Sequence, residues 1–266
     1  MIVRRVRRFS RFRRHVATHN WFGTAIDLAI LVLGVFLGLQ ANNWNAARLN
    51  QADGHEYRQR LIGDLADNES DLVDRGRYYA GVRAHAQQAL AGLDRPAGAS
   101  DAALLIDVFE ATQITPRKVK RFTYDELLSR GATPWIGDAR LREQVANYYV
   151  GVATTSVTFD AVTPYRELVR SGMPDAAQQA VRRACPERIS FTPDGSGRAE
   201  LAAQCAPLPL DPATTARSAA VVRALPGLRA ALNRQISDHD GKIALVQPLV
   251  RHARDVRRLL GAADRR

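Results

Sequence analysis

The sequence predicts a mainly α protein: one N-terminal transmembrane helix, a long amphipathic juxtamembrane helix and an irregular antiparallel helical bundle. Three observations predict it. An apolar run fills residues 23–40, apolar side chains beyond it recur at helical spacing, and no stretch shows the sustained alternation of a sheet. The composition agrees. With 46% hydrophobic, 24% charged and 7% aromatic residues over 266 positions, the chain suits helices with small residues in their seams. It is long enough for one sizeable domain besides an anchor.

The first element is a basic arm, residues 1–22. Arg4, Arg5, Arg7, Arg8, Arg11, Arg13 and Arg14 stand there without an acidic residue, so seven charges of the formal +11 sit in the arm. A nucleic-acid partner would call for more aromatic interleaving than Phe9 and Phe12 provide. Anionic lipid headgroups are the expected partner, at up to about 1 kcal/mol per Arg held near the surface.

The second element is the membrane helix, residues 23–43. Its apolar run, Gly23 to Gln40, reaches roughly 27 Å as a helix, close to the hydrocarbon thickness of a bilayer. Trp21 and Trp44 bracket the run as membrane-interface anchors, because indoles favour the headgroup boundary. The arginine excess before the span, against Arg48, Arg58 and Arg60 after it, places the N-terminus in the cytosol and residues 44–266 outside. Leu39-Gln40-Ala41 is a poor cleavage site, so an uncleaved anchor is expected. Gly34 and Gly38 form a G-x-x-x-G and are the candidates for helix pairing, with a homodimer as the outcome. Asp27 either pairs with the arm and headgroups or serves as an intramembrane site.

The run from Ile30 to Asn45, ILVLGVFLGLQANNWN, resembles the signature of a group of bacterial single-pass membrane proteins that carry a domain of unknown function. The likeness covers about residues 25–65, including Leu61 and Asp64-Leu65. It echoes at Phe122–Leu127, at Ser129-Arg130-Gly131 and from Leu141-Arg142 to Tyr148-Tyr149. Relatives commonly carry Glu at the position of Asp27 and Ala at that of Gly38. The resemblance implies an inner-membrane location, the same topology and a helical outer domain; it supplies no activity.

In the outer domain, Tyr57, Leu61, Leu65, Leu72, Tyr79, Val82, Ala86, Leu90 and Leu93 form an amphipathic stripe. Asn68 and Arg75 interrupt its register. Gly63, Gly76 and Gly81 weaken it at about 1 kcal/mol each. Residues 94–100 break the helix, and a short one follows over 101–111. Thr123 and Glu126 read as a capping box for a helix ending at Gly131. Another is expected from Asp138 toward Val169, kinked or broken at Pro164, and a further one over 175–184. Residues 186–213 read as a loop clipped by Cys185 and Cys205, either bridged in an oxidising compartment or both unpaired. Helix returns from Thr215 to Leu260, with Pro226 and Pro248 interrupting it.

Chemistry is sparse in this sequence. No HExxH, Walker loop or dinucleotide fingerprint occurs, and Asp194-Gly195-Ser196-Gly197 lacks the nucleophile-elbow pattern. Asp238-His239-Asp240-Gly241 is half a calcium loop, but Ile236 and Gln247 occupy ligand positions, so a solvated helix break is expected. No catalytic residue, metal ligand or cofactor site is assigned, and the chain is not expected to be an enzyme. Protein interaction or self-association is the leading expectation. A sensor for a small anionic ligand, using Arg117, Lys118, Lys120 and Arg121, is second, and an envelope hydrolase is last.

Overall fold

The computed structural model describes residues 21–95, 101–115, 117–191 and 197–265, and side chains from Ala25 onward. The seven arginines of the basic arm, the Trp21 side chain and the run Asp194-Gly195-Ser196 lie outside the described residues.

The architecture is mainly α. In chain order it runs α1 (Trp21–Leu93), α2 (Asp101–Glu110), α3 (Phe122–Ser129), a 3-10 turn (Thr133–Ile136), α4 (Ala139–Asp160), α5 (Pro164–Gly172) and α6 (Asp175–Ala184). Strands β1 (Arg188–Phe191) and β2 (Gly197–Glu200) follow, then α7 (Pro212–Arg223) and α8 (Leu228–Asp264). The chain divides into two units, Met1–His55 and Glu56–Arg266. Helix α1 is continuous through 73 residues and contributes to both.

The described part of the first unit is helix, and every residue from Ala25 to Ala52 is exposed. The second unit holds two apolar cores. One joins the α1 residues Tyr57, Leu61, Leu65, Leu72, Tyr79 and Val82 to α3, to α4 and to the Val246–Leu260 stretch of α8. The other joins Ala86 and Ala89 of α1 to α2, α5, α6, α7 and the start of α8. The stripe read from the sequence is therefore the seam of both cores. Two of its glycines serve close packing. A Cβ on Gly76 would stand 3.3 Å from Val246, and one on Gly81 only 2.9 Å from Leu201. The helix loses propensity at these positions and gains close approach of its neighbours.

Several local expectations need correction. Thr123 and Glu126 form no capping box: the N-cap position falls two residues earlier, at Arg121, without a side-chain cap. Glu126 turns instead to α1, accepting from the Tyr57 hydroxyl at 2.5 Å and from Arg60 at 2.7 Å. Two strong donors from another element outcompete a local amide. Helix α4 stops at Asp160, and Pro164 opens α5 as its first residue, with the Thr163 hydroxyl accepting from the Arg166 amide. Proline is at home there, because a first-turn N–H has no helical acceptor. Pro226 lies in the break between α7 and α8, whereas Pro248 sits inside α8 without ending it. Both Pro248 and Ala244, whose carbonyl loses its helical donor, are exposed. The Asp238–Gly241 run is no solvated break either; it lies within α8.

The loop between the cysteines contains an antiparallel pair, with Arg188 opposite Glu200 and Phe191 opposite Gly197. Four residues per strand are too few for alternation to be read from sequence. Cys185 and Cys205 are bridged, with their Cα atoms 4.6 Å apart. The bridge closes the segment carrying this hairpin. The Asp138 carboxylate caps α4 by accepting from the Leu141 amide at 2.8 Å, and Asp211 caps α7 through the Thr214 amide at 2.9 Å.

Candidate functional site

The apolar run is a helix that is exposed throughout its described residues. Ile30, Leu31, Phe36, Leu37 and Leu39 are 55 to 65% exposed, and Trp44 is 69% exposed. Among the described residues this is the one helix long and apolar enough to cross a membrane. A Cβ on Gly34 or Gly38 would meet no atom within 4 Å, so both glycines present bare backbone to the surroundings. Asp27 is exposed on the same stretch.

The basic turn of residues 117–121 is largely neutralised. Arg117 donates to Asp71 at 2.9 Å, Lys120 to Asp67 at 2.5 Å and Arg121 to Asp125 at 2.9 Å. Arg117 is buried, and its fork also reaches the carbonyl of Ala199 on β2 at 3.0 Å. Asp71 bonds Arg75 as well, at 2.7 Å. One carboxylate thus joins two buried guanidinium groups and pins α1, this turn and the hairpin together. Asn68 pins the same turn: its amide donates to the Lys120 carbonyl at 2.8 Å and its oxygen accepts from the Lys120 amide at 2.7 Å. The two residues that spoil the apolar stripe are the ones that fasten this segment.

Helix α8 carries a second buried polar set, one turn apart: Gln235, His239 and Lys242. The Gln235 amide donates to the Ala111 carbonyl at 2.7 Å and lies 2.9 Å from His239 Nε2, which leaves the ring proton on Nδ1. Burial, and then the nearby Lys242 ammonium, push the His239 pKa down to about 3, so the ring is neutral. Lys242 itself lies 4.8 Å above the Tyr79 ring and donates to the Phe159 carbonyl at 3.1 Å. These contacts lock α8 to α1 and α4. They form no catalytic array, and among the described residues no three His, Cys, Asp or Glu side chains converge to hold a metal ion.

No family model matches this chain, and no curated protein or solved structure does. Two surface features of the second unit remain, and neither is visible as a motif.

One is the outer face of α4. Asn147, Val150, Ala153, Thr154, Val157 and Thr158 are exposed, and no charged residue stands between Glu143 and Asp160. Val150 is 64% and Val157 75% exposed. The Thr154 hydroxyl bonds back to the Val150 carbonyl at 2.9 Å, which satisfies its polar atom within the helix. The face is an uncharged strip on a strongly basic protein.

The other is a group of three arginines, two of them packed on Phe109. Arg166 and Arg170 lie one turn apart on α5, and Arg182 comes from the last turn of α6. The Arg170 guanidinium carbon is 3.7 Å from the Phe109 ring centre and that of Arg182 is 5.3 Å from it. Burial, followed by the like charges of Arg166 and Arg182, lowers the Arg170 pKa to about 10. Spacing alone could show Arg166 and Arg170 sharing a face; only the fold brings Arg182 to them.

Proposed function

We propose that this chain is a single-pass bacterial inner-membrane protein with its N-terminus in the cytosol. Its helical domain lies in the periplasm and works by binding a protein, first of all a second copy of itself, and not by catalysis. The observation that carries the reading is the bare apolar stretch from Ala25 to Leu39, exposed throughout. Leaving such a surface in water costs about 25 cal/mol per Å², whereas lipid covers it at no cost. The arginine bias of the arm supports the orientation, and the Cys185–Cys205 bridge suits an oxidising compartment.

Self-association draws on two surfaces. Gly34 and Gly38 allow close approach of paired membrane helices. In the outer unit the uncharged α4 face is where two copies of a basic chain meet without repulsion. Anchoring in one membrane raises the effective concentration, so weak faces suffice. The resemblance of the Leu39-Gln40-Ala41-Asn42-Asn43-Trp44-Asn45 run to the single-pass group fits this topology.

Photo-crosslinking side chains at Val150 and Val157, in cells, test the reading. The expected result is a crosslinked homodimer at both positions, lost when the other is changed to Glu. A chain that stays monomeric in mild detergent and captures no copy of itself at either position would overturn self-association.

A further inference from the structure

We propose that Arg170 and Arg182, packed on the Phe109 ring, and Arg166, which shares Thr112 with Arg170, form a binding site for a phosphate-type oxyanion. The site does not depend on the membrane reading, since all its parts belong to the second unit.

The first support is how these guanidinium groups are held. Arg166 donates to the Thr112 carbonyl at 2.6 Å. Arg170 donates to the Thr112 hydroxyl at 2.8 Å and to the Gln113 oxygen at 3.2 Å. Arg182 donates to the Gln178 oxygen at 3.3 Å. Every one of these acceptors is uncharged. They fix the orientation of the groups and carry no negative charge; Glu110 offsets part of the Arg170 charge through its field.

The second support is that the neighbouring acids are occupied elsewhere. Glu187 accepts from the Tyr78 hydroxyl at 2.6 Å, and Glu110 accepts from the Gln113 amide at 3.4 Å. Glu110 is almost wholly buried, and burial raises its pKa while the His85 and Arg170 charges pull it the other way. Among the described residues no carboxylate pairs with Arg166, Arg170 or Arg182, although Arg58, Arg60, Arg75, Arg83 and Arg117 all find one. The carbonyl ends of α5 and α6 make cations tolerable at Arg170 and Arg182 but supply only partial charge.

The third support is access. Among the described residues Arg170 Nη1, and Nε and Nη2 of Arg166, have no hydrogen-bond acceptor and are not buried orphan atoms, and Arg182 is exposed. Donors from three neighbouring arginines, two of them on an aromatic ring, are the arrangement that takes two or more oxygens of one anion. The phosphate can come from solution or from a lipid headgroup; the chemistry recognised is the same.

The test uses the full chain in dodecyl maltoside, titrated calorimetrically with inorganic phosphate against sodium chloride at matched ionic strength. Saturable phosphate binding is expected. Arg166→Gln and Arg182→Gln should each weaken it about tenfold or more, the loss of charge-assisted hydrogen bonds, and Arg182→Lys should recover part of the loss. Arg182 is exposed and makes one long hydrogen bond, so its replacement leaves the fold intact. A second titration uses dihexanoyl phosphatidylglycerol below its micellar concentration. Binding of this lipid alone, lost in the same variants, would identify a headgroup site. Heat that merely follows ionic strength, or binding of either probe that both substitutions leave unchanged, would overturn the proposal.

Discussion

Single residues hold this bundle at points the apolar pattern treats as faults. Asp71 bonds both Arg75 and Arg117, whose side chains are almost fully buried. Asp71→Asn would leave two buried cations without their counter-charge, and we expect a loss of about 3–5 kcal/mol, read as a lower urea midpoint. His239 sets a pH dependence. Its pKa falls from an ordinary 6.5 to about 3, chiefly through burial. Between those values the unfolded chain binds a proton that the folded chain refuses, so stability rises with pH there. The contribution is full above about pH 6.5 and is lost as the pH falls toward 3, at up to about 1.4 kcal/mol per pH unit. His239→Gln should flatten that slope. Urea midpoints at pH 7, 6 and 5 that fall equally in both proteins would sink this account. None of these roles is legible in one dimension. Asp71, Arg75 and Arg117 look like solvated charges until Arg117 is brought 46 positions back to α1.

At the scale of elements, boundaries set by local chemistry were readable and those set by partners were not. Asp138 caps α4 where the sequence suggests, because an N-cap needs only its own next turn. Glu126 defeats the same logic, since Tyr57 and Arg60 from α1 supply better donors than a helix amide. Pro248 defeats a rule of composition: on the wet side of a long helix, a proline costs less than on a buried side. The disulfide gives a prediction at this scale. Closing the twenty-residue separation between Cys185 and Cys205 should contribute about 3 kcal/mol. Reduction should lower the urea midpoint accordingly, and Cys205→Ala should show no further loss on reduction. An unchanged midpoint after complete reduction would remove the bridge from the stability account.

For the whole molecule, the proposed placement rests on the exposed apolar stretch and the arginines before it. A periplasm-active reporter fused after residue 266 should work, and a cytosol-active one should not. The reverse result would remove the orientation and the compartment together. Replacing Gly34 and Gly38 by Ile should cut dimer yield in membranes without affecting insertion, because bulk at the crossing point prevents close approach. If dimer yield is unchanged, pairing rests on the outer unit, and the α4 face becomes the surface to disrupt.

The sequence by itself determined the helical class, the membrane-length apolar run and most helix limits. Each follows from composition, periodicity or a cap within a few residues. Folding in three dimensions set which polar side chains are buried, which arginines are neutralised, and that Arg170 and Arg182 meet at Phe109 with Arg166 beside them. The reason is physical. Burial and charge pairing are properties of distance in space, and residues from α2, α5 and α6 come together only when both apolar cores close.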